Sequence, residues 1–268
     1  MNRFGYYDPT SVQKAVGIAE DKREARYLAG GQSLLPTMRL RLDAPTDLID
    51  LGQIADLRGI KVEGNAILVG AMVSHAEVCA SRDIGARIPA LAHLASQIGD
   101  RQVRNRGTLG GSVANNDPAA DYPAAVLALN ATIVTTRREI AAADYFQGMF
   151  ATALEEGEII VRLIMPLPKR AAYCKFPHPA SGYAMAGAFV AETADGVRVA
   201  VTGAGPGVFR WQEAESALGK SMSAAALDAL SLDAGDMNED IHATREYRAN
   251  LAKVMTKRAV EKLVAGRT

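Results

Sequence analysis

The apolar positions of the chain switch repeatedly between helical spacing and short runs of strand length, a pattern that predicts a mixed α and β fold from the first third onward. Val12 to Glu20 has the spacing of a helix, while Ala25 to Leu28 and Asp47 to Leu51 read as extended segments. Ile60 to Val62 and Ile67 to Val69 flank Glu63-Gly64-Asn65, which has the composition of a hairpin turn. Ser74 followed by Glu77 fits a capping box, and from Pro89 onward Leu91, Leu94, Ala95 and Ile98 share one helical face. Ala124 to Leu129 predicts a further helix, and Thr132 to Thr135 and Ile159 to Met165 predict strands, the second ended by Pro166-Leu167-Pro168.

The Lys169-Arg170 pair after these prolines is the best candidate for a domain boundary, and 268 residues suffice for two domains, each burying its own core. Past it, Ala184 to Glu192 and Val197 to Val201 surround Asp195-Gly196 as two antiparallel strands would. From Glu246 onward Tyr247, Leu251, Met255, Ala259 and Leu263 recur every four residues, the signature of an amphipathic helix packing on a sheet.

Composition narrows the function. Thirty basic and thirty acidic residues give no net charge, which removes electrostatic steering toward nucleic acid or an anionic membrane. No apolar run reaches membrane-spanning length and the N-terminus lacks the pattern of a signal peptide, so no integral membrane segment and a cytoplasmic location are expected. Cys79 and Cys174 are far apart and belong to no C-x-x-C cluster, so an iron-sulfur centre has to come from a partner. His75, His93, His178 and His242 show no ligand spacing, which argues against a metal site, and no G-x-S-x-G elbow supports a hydrolase.

Two segments carry candidate chemistry. In Leu28-Ala29-Gly30-Gly31-Gln32-Ser33-Leu34-Leu35-Pro36 a strand meets two glycines and then polar residues, so successive backbone amides can face one concavity and hold a phosphate; the alternative is a plain turn. Arg106-Gly107-Thr108-Leu109-Gly110-Gly111-Ser112 repeats that chemistry inside a long irregular stretch, and two phosphate cradles suggest a pyrophosphate. Neither segment fits the G-x-G-x-x-G or G-x-x-x-x-G-K-[ST] signature, which disfavours a Rossmann domain or an NTPase. Arg101, Arg104 and Arg106 are expected to meet water or a partner, since glycine amides already serve the phosphates.

Ala29 to Pro36 together with Arg101 to Ser112 resembles the medium, FAD-binding subunit of the carbon monoxide dehydrogenase and xanthine dehydrogenase group of molybdenum hydroxylases. Lys175-Phe176, Ser181-Gly182-Tyr183-Ala184, Thr202-Gly203-Ala204 and Glu246 to Leu251 extend the resemblance over nearly the whole chain. It implies an α+β protein: a PCMH-like FAD-binding domain over 1–168, made of two subdomains dividing near residue 54, then a C-terminal domain over 169–268 with a small antiparallel sheet and helices.

Carried over by position, Ala29, Gly30, Gly31, Gln32, Ser33, Leu34, Leu35 and Pro36 with Thr108, Leu109, Gly110, Gly111 and Ser112 would hold the pyrophosphate. Asp121 would face the ribose and adenine half or cap the helix that follows, Ile98 and Ile160 would pack near the cofactor or only in the core, and Lys175 would lie near the flavin ring or in solvent. Tyr183 would shield a flavin face or fill a core; beside it, Gly182 stands where many relatives carry a basic residue. The resemblance implies an oxidoreductase subunit that takes electrons from 2Fe–2S clusters of a small subunit and gives them to an external acceptor. Substrate is hydroxylated at a molybdenum cofactor in a large subunit, and the whole is a heterotrimer or a dimer of heterotrimers. No catalytic acid, base or nucleophile is then required of this chain. The alternative is a free-standing FAD-dependent oxidase of a small substrate; a scaffold that has lost its cofactor is disfavoured by the intact glycine motifs.

Overall fold

The computed structural model describes residues 2–22 and 24–267. Three sheets organise it. In the first, β1 (Gly5–Tyr7), β2 (Ala25–Leu28) and β3 (Asp47–Asp50) lie in the order β1-β3-β2 with β3 parallel to both neighbours. Parallel pairing needs crossovers, supplied by α1 (Val12–Asp21) and α2 (Leu34–Arg39). Ala15, Ile49, Leu51, Ile54 and Leu57 close a small core beneath this lobe.

The second lobe opens with the hairpin of β4 (Ile60–Glu63) and β5 (Ala66–Gly70). Short helices follow: α3 (His75–Ala80), α4 (Arg82–Arg87), α5 (Pro89–Ser96), α6 (Arg101–Arg106), α7 (Leu109–Asn115) and α8 (Tyr122–Ala128). Then come β6 (Thr132–Thr135), β7 (Glu139–Ala141), α9 (Ala142–Tyr145) and β8 (Ile160–Pro166). The sheet order is β4-β5-β8-β6-β7, so the last strand in sequence fills the centre, antiparallel to β5 and β6. The expected capping box is present: Ser74 Oγ accepts from the Glu77 amide at 3.2 Å, and the Glu77 carboxylate accepts from the Ser74 amide at 2.7 Å. The long irregular stretch expected after residue 100 is instead α6 and α7. Asp100 caps the first by accepting from the Val103 amide, and Thr108 caps the second by accepting from the Gly111 amide.

The third sheet is the meander β12-β11-β10-β9, formed by β9 (Arg170–Pro177), β10 (Ala184–Thr193), β11 (Gly196–Thr202) and β12 (Phe209–Arg210), with α10 (Gln212–Lys220) and α11 (Arg245–Val264). Cys174, Ala188, Val190 and Val201 face the two helices. On the opposite face Tyr173, Phe189, Ala191 and Ala200 enter the core of the second lobe, against α5 and α8. The residues after 169 thus close a core of their own between the sheet and its two helices, as expected, and their sheet packs its other face on the second lobe; β10 is apolar on both faces because both are covered.

The α11 stripe also differs from the expected one. Steps of four residues advance 40° per step on a helix of 3.6 residues per turn, so the line through Tyr247 drifts off the packed face and Tyr247 is exposed. Arg248 and Thr256 are buried in its place. The Arg248 guanidinium donates to the Met185 and Gly203 carbonyls and pairs with Asp240, leaving only its Nε unpartnered among the described residues, and the Thr256 hydroxyl donates to the Ala252 carbonyl.

Candidate functional site

All three sheets meet at one cleft of about 980 Å³, at the upper end of the usual range for small-molecule sites and suited to an elongated ligand. Its walls are the turn after β2, the turn into α7, the start of β8 and the 181–183 loop. The two glycine segments touch at backbone level. A methyl group on Gly30 would overlap the Arg106 carbonyl oxygen and lie 2.6 Å from Gly107 Cα. Gly110 is as confined, since its Cβ would meet Ala71 Cβ at 2.5 Å.

The two segments are not equivalent donors. In the second, the Leu109 amide donates to the Val73 carbonyl, Gly110 to Ala71, Gly111 to the Thr108 hydroxyl and Ser112 to the Thr108 carbonyl. Those four amides are spent inside the protein, which corrects the expectation of a second backbone cradle; Thr108 and Ser112, which carry hydroxyls, line the cleft there. In the first, Gly31 has φ +74° and the amides of residues 31–34 precede the α2 hydrogen-bond ladder, which begins with Leu35 donating to Gly31. This turn offers its backbone to an anion.

Ala29, Gly30, Gly31, Gln32, Ser33, Leu34, Ile98, Thr108, Gly110, Gly111, Ser112, Asp121, Ile160 and Tyr183 line the cleft. Leu35, Pro36, Leu109 and Lys175 do not. Leu35 packs beside Leu28, Met38 and Leu48, Pro36 is exposed on α2, and Leu109 is fully buried in the main core.

Lys175 is neither solvated nor on the cleft wall. Its ammonium pairs with Asp121 at 3.0 Å and donates to the Gln97 carbonyl at 2.8 Å, while the Tyr173 hydroxyl donates to the same Asp121 carboxylate at 2.5 Å. Burial pushes the Asp121 carboxyl above its ordinary value, opposed by Lys175 and Tyr173. Asp121 does not cap α8; its oxygens are committed to β9. Arg104 also departs from expectation: it donates to the Ile98 and Gly99 carbonyls and so pins the turn before α6.

Three further residues on the wall have no role that the sequence predicts. Phe150 is exposed at the mouth with φ +53°, held there as its amide donates to the Asn116 carbonyl and the Asn116 side chain donates to the carbonyls of Gly148 and Ala151. Glu158 accepts from the Thr135 hydroxyl, the Arg138 guanidinium and the Glu155 amide. His75 is 5% exposed, and its ring lies 5.3 Å from that of Tyr122.

Burial, reinforced by the Arg104 guanidinium, lowers the His75 pKa to about 4. The unfolded chain, with an imidazole near 6.5, therefore binds a proton that the folded chain rejects. The FAD-free protein is expected to lose up to about 3 kcal/mol as pH falls from roughly 6.5 to 4. Urea unfolding of the wild type and His75→Gln across that window checks it, the variant losing less.

Among the described residues no group of His, Cys, Asp and Glu is placed to hold a metal, and no helix is long and apolar enough to cross a membrane. Residues 2–168 match the family model described as FAD binding domain in molybdopterin dehydrogenase, and residues 171–263 match that described as CO dehydrogenase flavoprotein C-terminal domain. The chain is 37% identical to the carbon monoxide dehydrogenase medium chain of Hydrogenophaga pseudoflava, covering 96% of each protein. It is 36% identical to the nicotine 6-hydroxylase medium subunit of Paenarthrobacter nicotinovorans, covering 95% of each. The solved carbon monoxide dehydrogenase of Hydrogenophaga pseudoflava contains a chain that superposes with a TM-score of 0.91 at 36% identity, over 100% of this chain and 99% of that one.

Proposed function

This chain belongs to the FAD-binding medium-subunit family of the molybdenum hydroxylases, and from that premise we propose that it carries electrons through FAD from the iron-sulfur clusters of a small partner subunit to an external acceptor. A large partner subunit holding the molybdenum cofactor hydroxylates the substrate. Medium subunits of enzymes named for carbon monoxide and for nicotine resemble this chain almost equally, which supports placing the choice of substrate in another subunit.

The observation that carries the reading is the cleft itself: an open set of amides over residues 31–34 set against a close-packed run of small residues at 107–112. FAD fits this arrangement. The open amides, with the hydroxyls of Thr108 and Ser112, hold the pyrophosphate. Ile98 and Ile160 give apolar contact, Tyr183 covers a flavin face, and Asp121 presents a fixed carboxylate to a cofactor hydroxyl. Residues 1–168, dividing near 54, supply most of these groups; 169–268 supplies Tyr183 and, from behind the wall, Tyr173 and Lys175. Bound FAD supplies the capacity to accept and release electrons, and the chain binds it, orients it and excludes water from it.

The test is a visible absorption spectrum of the purified chain followed by acid denaturation. A flavin spectrum with FAD released into the supernatant is expected. A colourless protein that takes up no added FAD overturns the reading, and flavin that stays with the precipitate points instead to a covalently anchored oxidase.

A further inference from the structure

We infer that His75 binds the cofactor's pyrophosphate directly, donating a hydrogen bond from its ring to a phosphate oxygen on the floor of the cleft. This rests on the FAD reading above and names a binding residue that neither glycine segment contains.

Position is the first ground. The His75 amide donates to the Gly107 carbonyl at 2.9 Å, and a Cβ on Gly107 would lie 2.5 Å from His75 Nε2. The edge of the imidazole therefore rests on Gly107, which with the Arg106 carbonyl forms the backbone that Gly30 presses against from the other segment. His75, Gly107 and Gly30 converge where the two halves of the cradle join.

Donor supply is the second ground. A diphosphate needs donors on more than one side, and on the α7 side the amides of Leu109 to Ser112 are already given to protein acceptors. The ring that reaches this spot has donor capacity to spare. His75 Nδ1 is buried without a partner, and among the described residues no protein hydrogen bond engages Nε2. A buried imidazole with Nδ1 unpartnered and no protein partner on Nε2 keeps hydrogen-bonding capacity free, and a phosphate oxygen in the cleft is a matching acceptor. Because the ring is neutral at physiological pH, one nitrogen keeps a proton to donate and no buried cation has to be held when the cleft is empty.

The experiment compares FAD and riboflavin binding to the full-length FAD-free chain, by quenching of flavin fluorescence, in wild type, His75→Phe and His75→Gln. Riboflavin carries the isoalloxazine but no phosphate. The expected result is FAD binding weakened about tenfold or more in His75→Phe, riboflavin binding unchanged, and substantial recovery with His75→Gln, whose amide can still donate. FAD affinity within twofold of wild type in a folded His75→Phe chain, or an equal loss for FAD and riboflavin, overturns the inference. Should the Phe variant fail to fold, ¹⁵N-histidine spectra of the wild type decide: a His75 ring resonance that does not move on adding FAD overturns it, and one that moves with FAD but not with riboflavin supports it. A wild type that binds no FAD at all is a failure of the underlying reading and is distinguishable as such.

Discussion

Lys175→Met is expected to lower the free energy of unfolding by about 3–5 kcal/mol, the loss that follows when a buried charge keeps its place without its partner. The ammonium and the Asp121 carboxylate are both buried, with side chains 3% and 4% exposed. Removing the cation leaves a nearly buried anion without its counter-ion, with the Tyr173 hydroxyl as its remaining side-chain partner. Asp121→Asn in the same chain should recover much of the loss, because a neutral amide needs no counter-ion. The deficit of the single variant should also depend on pH. The Asp121 carboxyl already sits above its ordinary value, and loss of Lys175 raises it further, so the variant is penalised above the unfolded value near 3.9 and the penalty shrinks as pH falls toward it. Urea unfolding of the wild type, the single and the double variant at two pH values checks these statements; equal stability of the Lys175→Met and wild-type chains at neutral pH would remove the ion pair from any supporting role.

The second large effect is expected at Gly30. Gly30→Ala places a methyl against the Arg106 carbonyl and Gly107 Cα, and both obstacles are backbone, so no side chain can rotate away. The two segments must separate, and overpacking of this kind costs about 1–3 kcal/mol. Since the separation occurs where the pyrophosphate is held, most of that cost should appear as lost FAD affinity, on the order of tenfold to a hundredfold in Kd. Gly17→Ala is the control: Gly17 lies in α1 with nothing within 4 Å of a new Cβ, so that change should stabilise the chain by about 0.5–1 kcal/mol and leave FAD binding untouched. A Gly30→Ala chain that binds FAD as the wild type does would show that the two segments are free to move apart at no cost.

Much of this architecture is legible in the residues. Strands with a clear apolar run and helices with a capping box or an N-terminal proline, such as α3 and α5, lie within a residue or two of their expected places. Local pattern fails where long-range packing decides. Gly110-Gly111 has the composition of a loop but starts a helix, because only glycine lets α7 press against Ala71. The expectation that its amides bind phosphate fails for the same reason, since those amides are used to hold the helix in place. Lys175 and Asp121 are 54 positions apart, and nothing near either one announces the other. His75 stays silent in the sequence because a single histidine carries no spacing to read; only the fold puts it beside Gly107.

The central position of β8 bears on the order in which the chain can be made and loaded. β5 and β6 are not neighbours in their sheet, because β8 lies between them, so during synthesis from the N-terminus that sheet stays open until residue 166 has appeared. Tyr173 and Lys175, which hold Asp121, and Tyr183, which lines the cleft, come later still. A nascent chain therefore has both glycine segments long before it has a site, and FAD cannot template the early sheets. The cofactor is captured by a chain that has already drawn its three sheets together, so yellow colour in a preparation counts assembled molecules rather than translated ones.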